Sequence, residues 1–325
     1  MSGIVNTFVI PIIRGDMIGK CLETLWMFNE GATFNVIVID QTGNKDTQDK
    51  YEHLSHLWIR PHRNLGFAKA MNTGARLAQT PYITFLNDDI EFINKAWWQG
   101  IMDTFEMDET IVAVNPMCPK EPTWGYGLTN DNYNEWNPPP QFALAPDGDK
   151  HYMYPVKPDG RPFTYEEALT EEGYQWLVNE HPRYRKDTMI DAIAGWCVVA
   201  KTTGLQEIGL YDEKFYPGGG EDYDLCARGY SCAWPEERDE CDPKQHRRLV
   251  STTKSYLWHH WGKSKDDMSA KNPENKLFES RPRWNALEEL WTNGFDVWGH
   301  GHKDVNGQDT KFPFKRIPEI HVEDL

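Results

Sequence analysis

Apolar residues near the start of the chain recur without the polar gaps of a solvent-facing strand. Ile4–Ile13 reads as a buried strand, ended by Pro11 and the Arg14-Gly15 turn. Asp16 is placed to cap a helix in which Met17, Ile18, Cys21, Leu22, Leu25 and Trp26 share one face. Phe34–Ile39 predicts a second strand, running into Asp40 and the polar turn Gln41-Thr42-Gly43-Asn44. The same reading gives a short strand at Leu57–Arg60, a helix at Gly66–Ala78 and a strand at Tyr82–Leu86 that enters Asn87-Asp88-Asp89. A helix at Asn94–Met107 and a strand at Ile111–Val114 follow. Strands alternating with helices of this length predict an α/β fold: a mostly parallel central sheet flanked by helices. Ligands in such sheets bind beyond the carboxyl ends of the strands, where Asp40 and Asp89 fall.

From Cys118 to Asp187 the pattern breaks. This stretch holds 10 of the 21 prolines, Pro138-Pro139-Pro140 among them, and 12 aromatic residues. So many aromatics predict a large, ordered but irregular excursion packed over the core, since a structureless loop of this size is uncommon. Regular structure is expected again at Ile190–Lys201, in helices near Thr202–Ile208 and Glu221–Arg228, and in a strand at Val250–His259. Arg283–Asn293 reads as a helix with Trp284, Leu287, Leu290 and Trp291 on one stripe, and the polar remainder as a loosely attached tail. The expected division is a ligand-binding half at 1–117, the excursion at 118–187, a second half at 188–294 and a tail at 295–325.

Length and charge narrow the classes. The 325 residues carry Lys+Arg 34 against Asp+Glu 50, a formal charge of −16. With 39% hydrophobic residues a packed core is expected, and such acidity disfavours nucleic acid as a partner. No apolar run reaches the roughly 18 residues of a membrane span, so no transmembrane segment is expected. The N-terminal stretch does not read as a secretory leader, and the expected location is cytoplasmic. Six cysteines then read as free thiols, although Cys226, Cys232, Cys241 and His246 can also be drawn as a zinc site that lacks a CxxC pair.

The charge is uneven. Between Glu52 and Asp88 no acid occurs, while Arg60, Arg63, Lys69 and Arg76 do, so the remainder of the chain carries −20. A basic stretch opening a helix at Asn64-Leu65-Gly66-Phe67 suits a phosphate held by helix N-terminal amides, unless its cations only complement acidic neighbours. Asn87-Asp88-Asp89 at a strand end suits a divalent cation on a diphosphate, or an Asp that merely caps a turn. Gly218-Gly219-Gly220 precedes Glu221, Asp222 and Asp224 at a helix start, where the dipole favours ionised carboxylates or where one of them simply caps. His259 and His260 end a strand, as structural histidines or as a nitrogen ligand for such a cation.

In order, these segments resemble the family 2 glycosyltransferases of GT-A fold, and in particular the rhamnosyl- and galactofuranosyltransferase-like members. The resemblance is carried by Phe8-Val9-Ile10-Pro11, Val36–Asp40, Asn64–Gly74, Phe85–Asp89, Gly195-Trp196-Cys197, Gly209–Phe215, Glu221–Leu225 and His259-x-x-Gly262-x-Ser264. It departs at Asn87, which stands where the family's metal-binding DxD region has its first acid, and the excursion has no counterpart. The resemblance implies inverting transfer of a sugar from a nucleotide-diphosphate donor to a hydroxyl on a glycan or other acceptor, as in polysaccharide biosynthesis. Pro11, Arg14, Asp40, Asn64, Gly66, Lys69, Asn72, Asp88 and Asp89 would bind donor. Asp89 and His259 would hold Mn²⁺ or Mg²⁺, with His260 an open alternative. Asp222 would be the general base, and Trp196 and Glu221 would shape the acceptor pocket. Two other classes remain at this stage: a non-catalytic nucleotide- or carbohydrate-binding module of the same fold, and a nucleotidyltransferase.

Overall fold

The computed structural model describes residues 5–122, 142–144, 152–180, 193–213, 215, 218, 221–231 and 247–260. The expected helix at 283–293, the tail, Cys232, Cys241, His246, Gly262 and Ser264 lie outside them.

The elements run β1 (Asn6–Ile12), α1 (Ile18–Phe28), β2 (Phe34–Asp40), α2 (Lys45–Tyr51), β3 (Leu57–Ile59), α3 (Phe67–Leu77) and β4 (Tyr82–Leu86). After these come β5 (Ile90–Glu91), α4 (Trp97–Met107), β6 (Ile111–Met117), β7 (Glu121–Pro122), β8 (Phe142–Leu144) and β9 (Tyr152–Pro155). The second half adds α5 (Tyr165–Ala168), α6 (Glu171–Glu180), β10 (Cys197–Lys201), α7 (Thr202–Ile208), α8 (Glu221–Ser231), β11 (Arg248–Tyr256) and β12 (Trp258–His259).

Seven strands form the central sheet in the order β11-β6-β10-β4-β1-β2-β3. Every pairing is parallel except the two made by β10, which runs against β4 and β6. The sheet is therefore mostly parallel, as the alternating pattern predicts. The carboxyl ends of β1, β2, β4, β6 and β11 share one rim, and the reversed strand brings its amino end, at Trp196-Cys197, to that same rim. Strand order turns at β1, with β2 on one side and β4 on the other, which opens the crevice where such sheets take ligands.

Each face of the sheet carries its own apolar layer. On one face Val9, Ile39 and Phe85 pack with Met71 of α3, Leu205 of α7 and Leu225 of α8. On the other, Phe8, Ile10 and Val38 pack with Leu22 and Leu25 of α1 and with Trp97 and Ile101 of α4. α4 lies so close to β11 that a Cβ added to Gly100 would meet the Lys254 carbonyl oxygen at 2.0 Å.

The structure revises several local expectations. Asp16 does not cap α1: the cap position is Met17, with no side-chain hydrogen bond. α2 was hidden inside a polar run, where Asn44 accepts a hydrogen bond from the Asp46 amide at 2.9 Å and starts a helix of charged and polar residues. The expected strand at Val250–His259 is two strands, because β12 leaves the main sheet and pairs with β5. The described parts of the excursion are ordered, as its aromatics predict, but regular: β7, β9 and β8 form a three-stranded antiparallel sheet, and α5 and α6 follow. Phe163, Tyr174, Trp176 and Leu177 of this region bury themselves against Ile93, Tyr256 and Trp258. Among the described residues no helix is long and apolar enough to cross a membrane, and Cys21, Cys118, Cys197 and Cys226 are buried free thiols.

Candidate active site

The rim collects most of the residues singled out from the sequence. β4 ends in Asn87-Asp88-Asp89, and two neighbours fix that end: the Asn87 amide donates to the Trp196 carbonyl at 2.9 Å, and the Cys21 thiol donates to the Asn87 carbonyl at 3.7 Å. β5 leaves directly from Asp89 and pairs antiparallel with β12, in a register that sets His259 opposite Ile90 and Trp258 opposite Glu91. The His260 amide donates to the Asp89 carbonyl at 3.0 Å. This two-residue ladder carries His259 to Asp89, with Nε2 of the imidazole 3.2 Å from Oδ1 of the carboxylate and both side chains buried. Neighbouring His260 points elsewhere, onto Glu91, with Nε2 2.6 Å from Oε1.

The two aspartates differ. Burial pushes the Asp88 carboxyl up to about 8, helped by the adjacent charges of Asp89 and Asp16 and opposed by Arg14. Burial would also raise Asp89, but the His259 imidazole outweighs it and holds Asp89 below the usual carboxylate range. Nearby, the buried Asn87 Oδ1 has no hydrogen-bond partner among the described residues. Crowded carboxylates with an unsatisfied oxygen beside them suit a cation. Among the described residues no group of three His, Cys, Asp or Glu converges on one point.

A single turn, Gly195-Trp196, joins this corner to the next. Trp196 stacks on His259, with ring centroids 5.1 Å apart and planes at 23°. The Gly195 amide donates to Asp222 Oδ2 at 2.9 Å. Asp222 stands in the first turn of α8 beside buried Glu221, where the helix dipole favours its ionised form. Asp89, His259 and Asp222 thus surround one turn. Trp196 is itself buried, its ring face given to His259.

The donor-side residues divide. Pro11, half-buried, closes β1 at the rim, and exposed Arg14 lies 3.5 Å from Asp16. Asp40 ends β2 with its side chain wholly enclosed: Oδ1 accepts from the Thr42 amide and hydroxyl, and Oδ2 accepts from the Trp58 indole with Arg60 3.5 Å away. Asn64 Oδ1 accepts from the Gly66 amide at 2.8 Å, and Gly66 takes φ +77° to start α3, a backbone state suited to glycine. Asn72 is fully buried and bonded to both the amide and the carbonyl of Tyr211. Lys69 and Arg76 pair with Glu213, and Arg60 pairs with Asp40. Most of the basic window therefore complements acids of the same fold. Asp40 and Asn72 are thus buried at the rim with their side-chain polar atoms bonded within the fold. Sequence reasoning missed Glu213 as the hub of this network and Glu91 beside the histidines.

Residues 7–156, a little under half of the chain, match the family model described as Glycosyl transferase family 2. With the sheet order above, this is the GT-A architecture. Among solved structures, GalNAc-T7 with UDP, GalNAc and Mn²⁺ is 16% identical with a TM-score of 0.48, covering 79% of this chain and 44% of that one. S. aureus TarS 1-349 with UDP-GlcNAc is 14% identical, TM-score 0.44, over 78% and 58%. Mannosyltransferase PcManGT from Pyrobaculum calidifontis, with GDP-Man and Mn²⁺, is 12% identical, TM-score 0.46, over 88% and 69%. The chain thus spans about half the length of the first two. No curated protein matches it significantly.

Proposed function

We propose that the protein catalyses inverting, metal-dependent transfer of a sugar from a nucleotide-diphosphate donor to an acceptor hydroxyl. The observation that carries this reading is the placement of Asp89–His259 and Asp222 on the two sides of the Gly195-Trp196 turn. Asp89 and His259 would hold Mn²⁺ or Mg²⁺, which when bound neutralises charge on the departing diphosphate. A mixed carboxylate–imidazole pair favours Mn²⁺.

Asp222, ionised at its helix start and held by the Gly195 amide, takes the proton from the acceptor hydroxyl as that oxygen attacks the anomeric carbon from the face opposite the leaving group. Trp196 keeps His259 in place, and Glu221 supports Asp222 on the acceptor side. Pro11 and Arg14 border the nucleoside end of the crevice. Asp88 would bind at the donor side beside the cation, and the Asn64–Gly66 turn would present α3 amides and Lys69 to phosphate. The motif resemblance favours a rhamnosyl- or galactofuranosyl-type donor, a glycan acceptor in polysaccharide assembly and a cytoplasmic setting.

Screening a panel of nucleotide sugars for Mn²⁺-stimulated release of nucleoside diphosphate tests the reading. One or a few donors should turn over, and chelation should stop them. Release of pyrophosphate would move the protein to the nucleotidyltransferases, and binding without turnover would make it a carbohydrate- or nucleotide-binding module.

A further inference from the structure

Glu91 is 1% exposed, yet it is a carboxylate, met by side chains of α1, α5 and the residue after β12. His260 Nε2 lies 2.6 Å from its Oε1. The Tyr165 hydroxyl of α5 donates to its Oε2, and Lys20 of α1 stands 3.4 Å from the same oxygen, with its ammonium over the Tyr165 ring at 5.3 Å. The Tyr165 ring also meets Trp258 edge to face at 5.0 Å. None of these groups enters the mechanism proposed above. They bracket the β5–β12 ladder on both strands: Glu91 follows Ile90, which pairs with His259, and His260 follows His259.

We infer that Glu91, tied down by His260 and by Tyr165 of the excursion, is a positioning residue that sets His259 against Asp89. The physical argument is one of constraint. A two-residue ladder is too short to hold its own register, and a side-chain clamp across it supplies the missing restraint. Partners standing behind a metal-binding imidazole are worth roughly 10- to 100-fold in metal affinity. The excursion, which the proposed mechanism leaves without a part, then reaches the diphosphate end of the site through the Tyr165 phenol. This inference rests on the proposed role of His259, and the experiment separates the two.

Tyr165→Phe removes only the hydroxyl, and Glu91→Gln weakens the clamp as a whole. Arg161→Met serves as control, because it loosens the same region at Glu167 without touching Glu91. Free Mn²⁺ is titrated against each protein by electron paramagnetic resonance, and the His259 ring ¹³C signal, assigned with His259→Ala, is recorded in the metal-free proteins. Tyr165→Phe and Glu91→Gln should weaken Mn²⁺ binding roughly 10-fold and displace the His259 signal, while Arg161→Met changes neither, whatever its melting temperature. Unchanged affinity and an unmoved His259 signal in folded Tyr165→Phe and Glu91→Gln would overturn the inference. If the wild-type protein binds no Mn²⁺, the metal part of the proposed function falls, and the His259 signal alone then decides whether Glu91 positions that ring.

Discussion

Trp196 lies nearly flat on His259, 5.1 Å between ring centroids, although the two lie 63 positions apart in sequence. The indole limits ring flips of the imidazole and leaves its edge for Asp89. Replacing Trp196 with Leu should keep the core filled but weaken Mn²⁺-dependent donor binding by roughly 10-fold. Calorimetric titration with the donor found by screening checks this, and an unaltered affinity would separate the indole from His259.

Asp222→Asn should lower transfer by at least roughly 100-fold, the scale of a lost general base. Asparagine retains an oxygen to accept from the Gly195 amide, so melting temperature and donor affinity should stay near wild type. Appreciable turnover would remove Asp222 from the base role.

Asn72→Ala should act on stability. The change strands the amide and carbonyl of Tyr211 in the interior, at a cost of about 2–3 kcal/mol. Urea unfolding measures the loss, and a variant of wild-type stability that bound donor poorly would assign Asn72 to donor contact instead.

Glu167 supplies a pH dependence. Burial alone would raise its carboxyl, but hydrogen bonds from Arg161, the Thr164 amide and Lys157 bring it down to about 2. A depressed folded value stabilises the protein fully above the unfolded value of 4.5, and the gain fades as pH falls toward 2. Discounted for partial exposure, it amounts to about 1–2 kcal/mol. The melting-temperature gap between wild type and Glu167→Gln should therefore be widest near neutrality and close in acid. A gap that persists below about pH 2.5 would assign the effect to packing instead.

Gly100→Ala should destabilise by about 3 kcal/mol, because the new methyl meets the backbone of β11 rather than a movable side chain. Denaturant unfolding measures it, and a loss under about 1 kcal/mol would mean that α4 can shift away from the sheet.

The central sheet was legible because its strands are buried on both faces and so read as apolar runs: Tyr82–Leu86 falls where the pattern puts it. α2 was not, since a helix of charged residues has no apolar stripe and announces itself only through the Asn44 cap. Residue identity pointed to Asp89, Asp222 and His259, and the structure gathers them around one turn. Sequence spacing could not reveal that Asp40 and Asn72 spend their polar atoms on Trp58, Thr42 and Tyr211, because those partners come from folding and lie up to 139 positions away. The prolines of the excursion likewise masked its antiparallel sheet, as short strands between breakers leave no periodicity to read.

The reversed strand has an architectural corollary. β6 ends at Met117 and β10 begins at Cys197, next to each other on the rim, where Asn115 donates to the Cys197 carbonyl at 2.6 Å and accepts from the Ala194 amide. The polypeptide departs and returns through one doorway. Chain spliced between those two posts can vary in length at little cost to the seven-stranded platform, as long as the contacts of Tyr165 with Glu91 and Trp258 are kept.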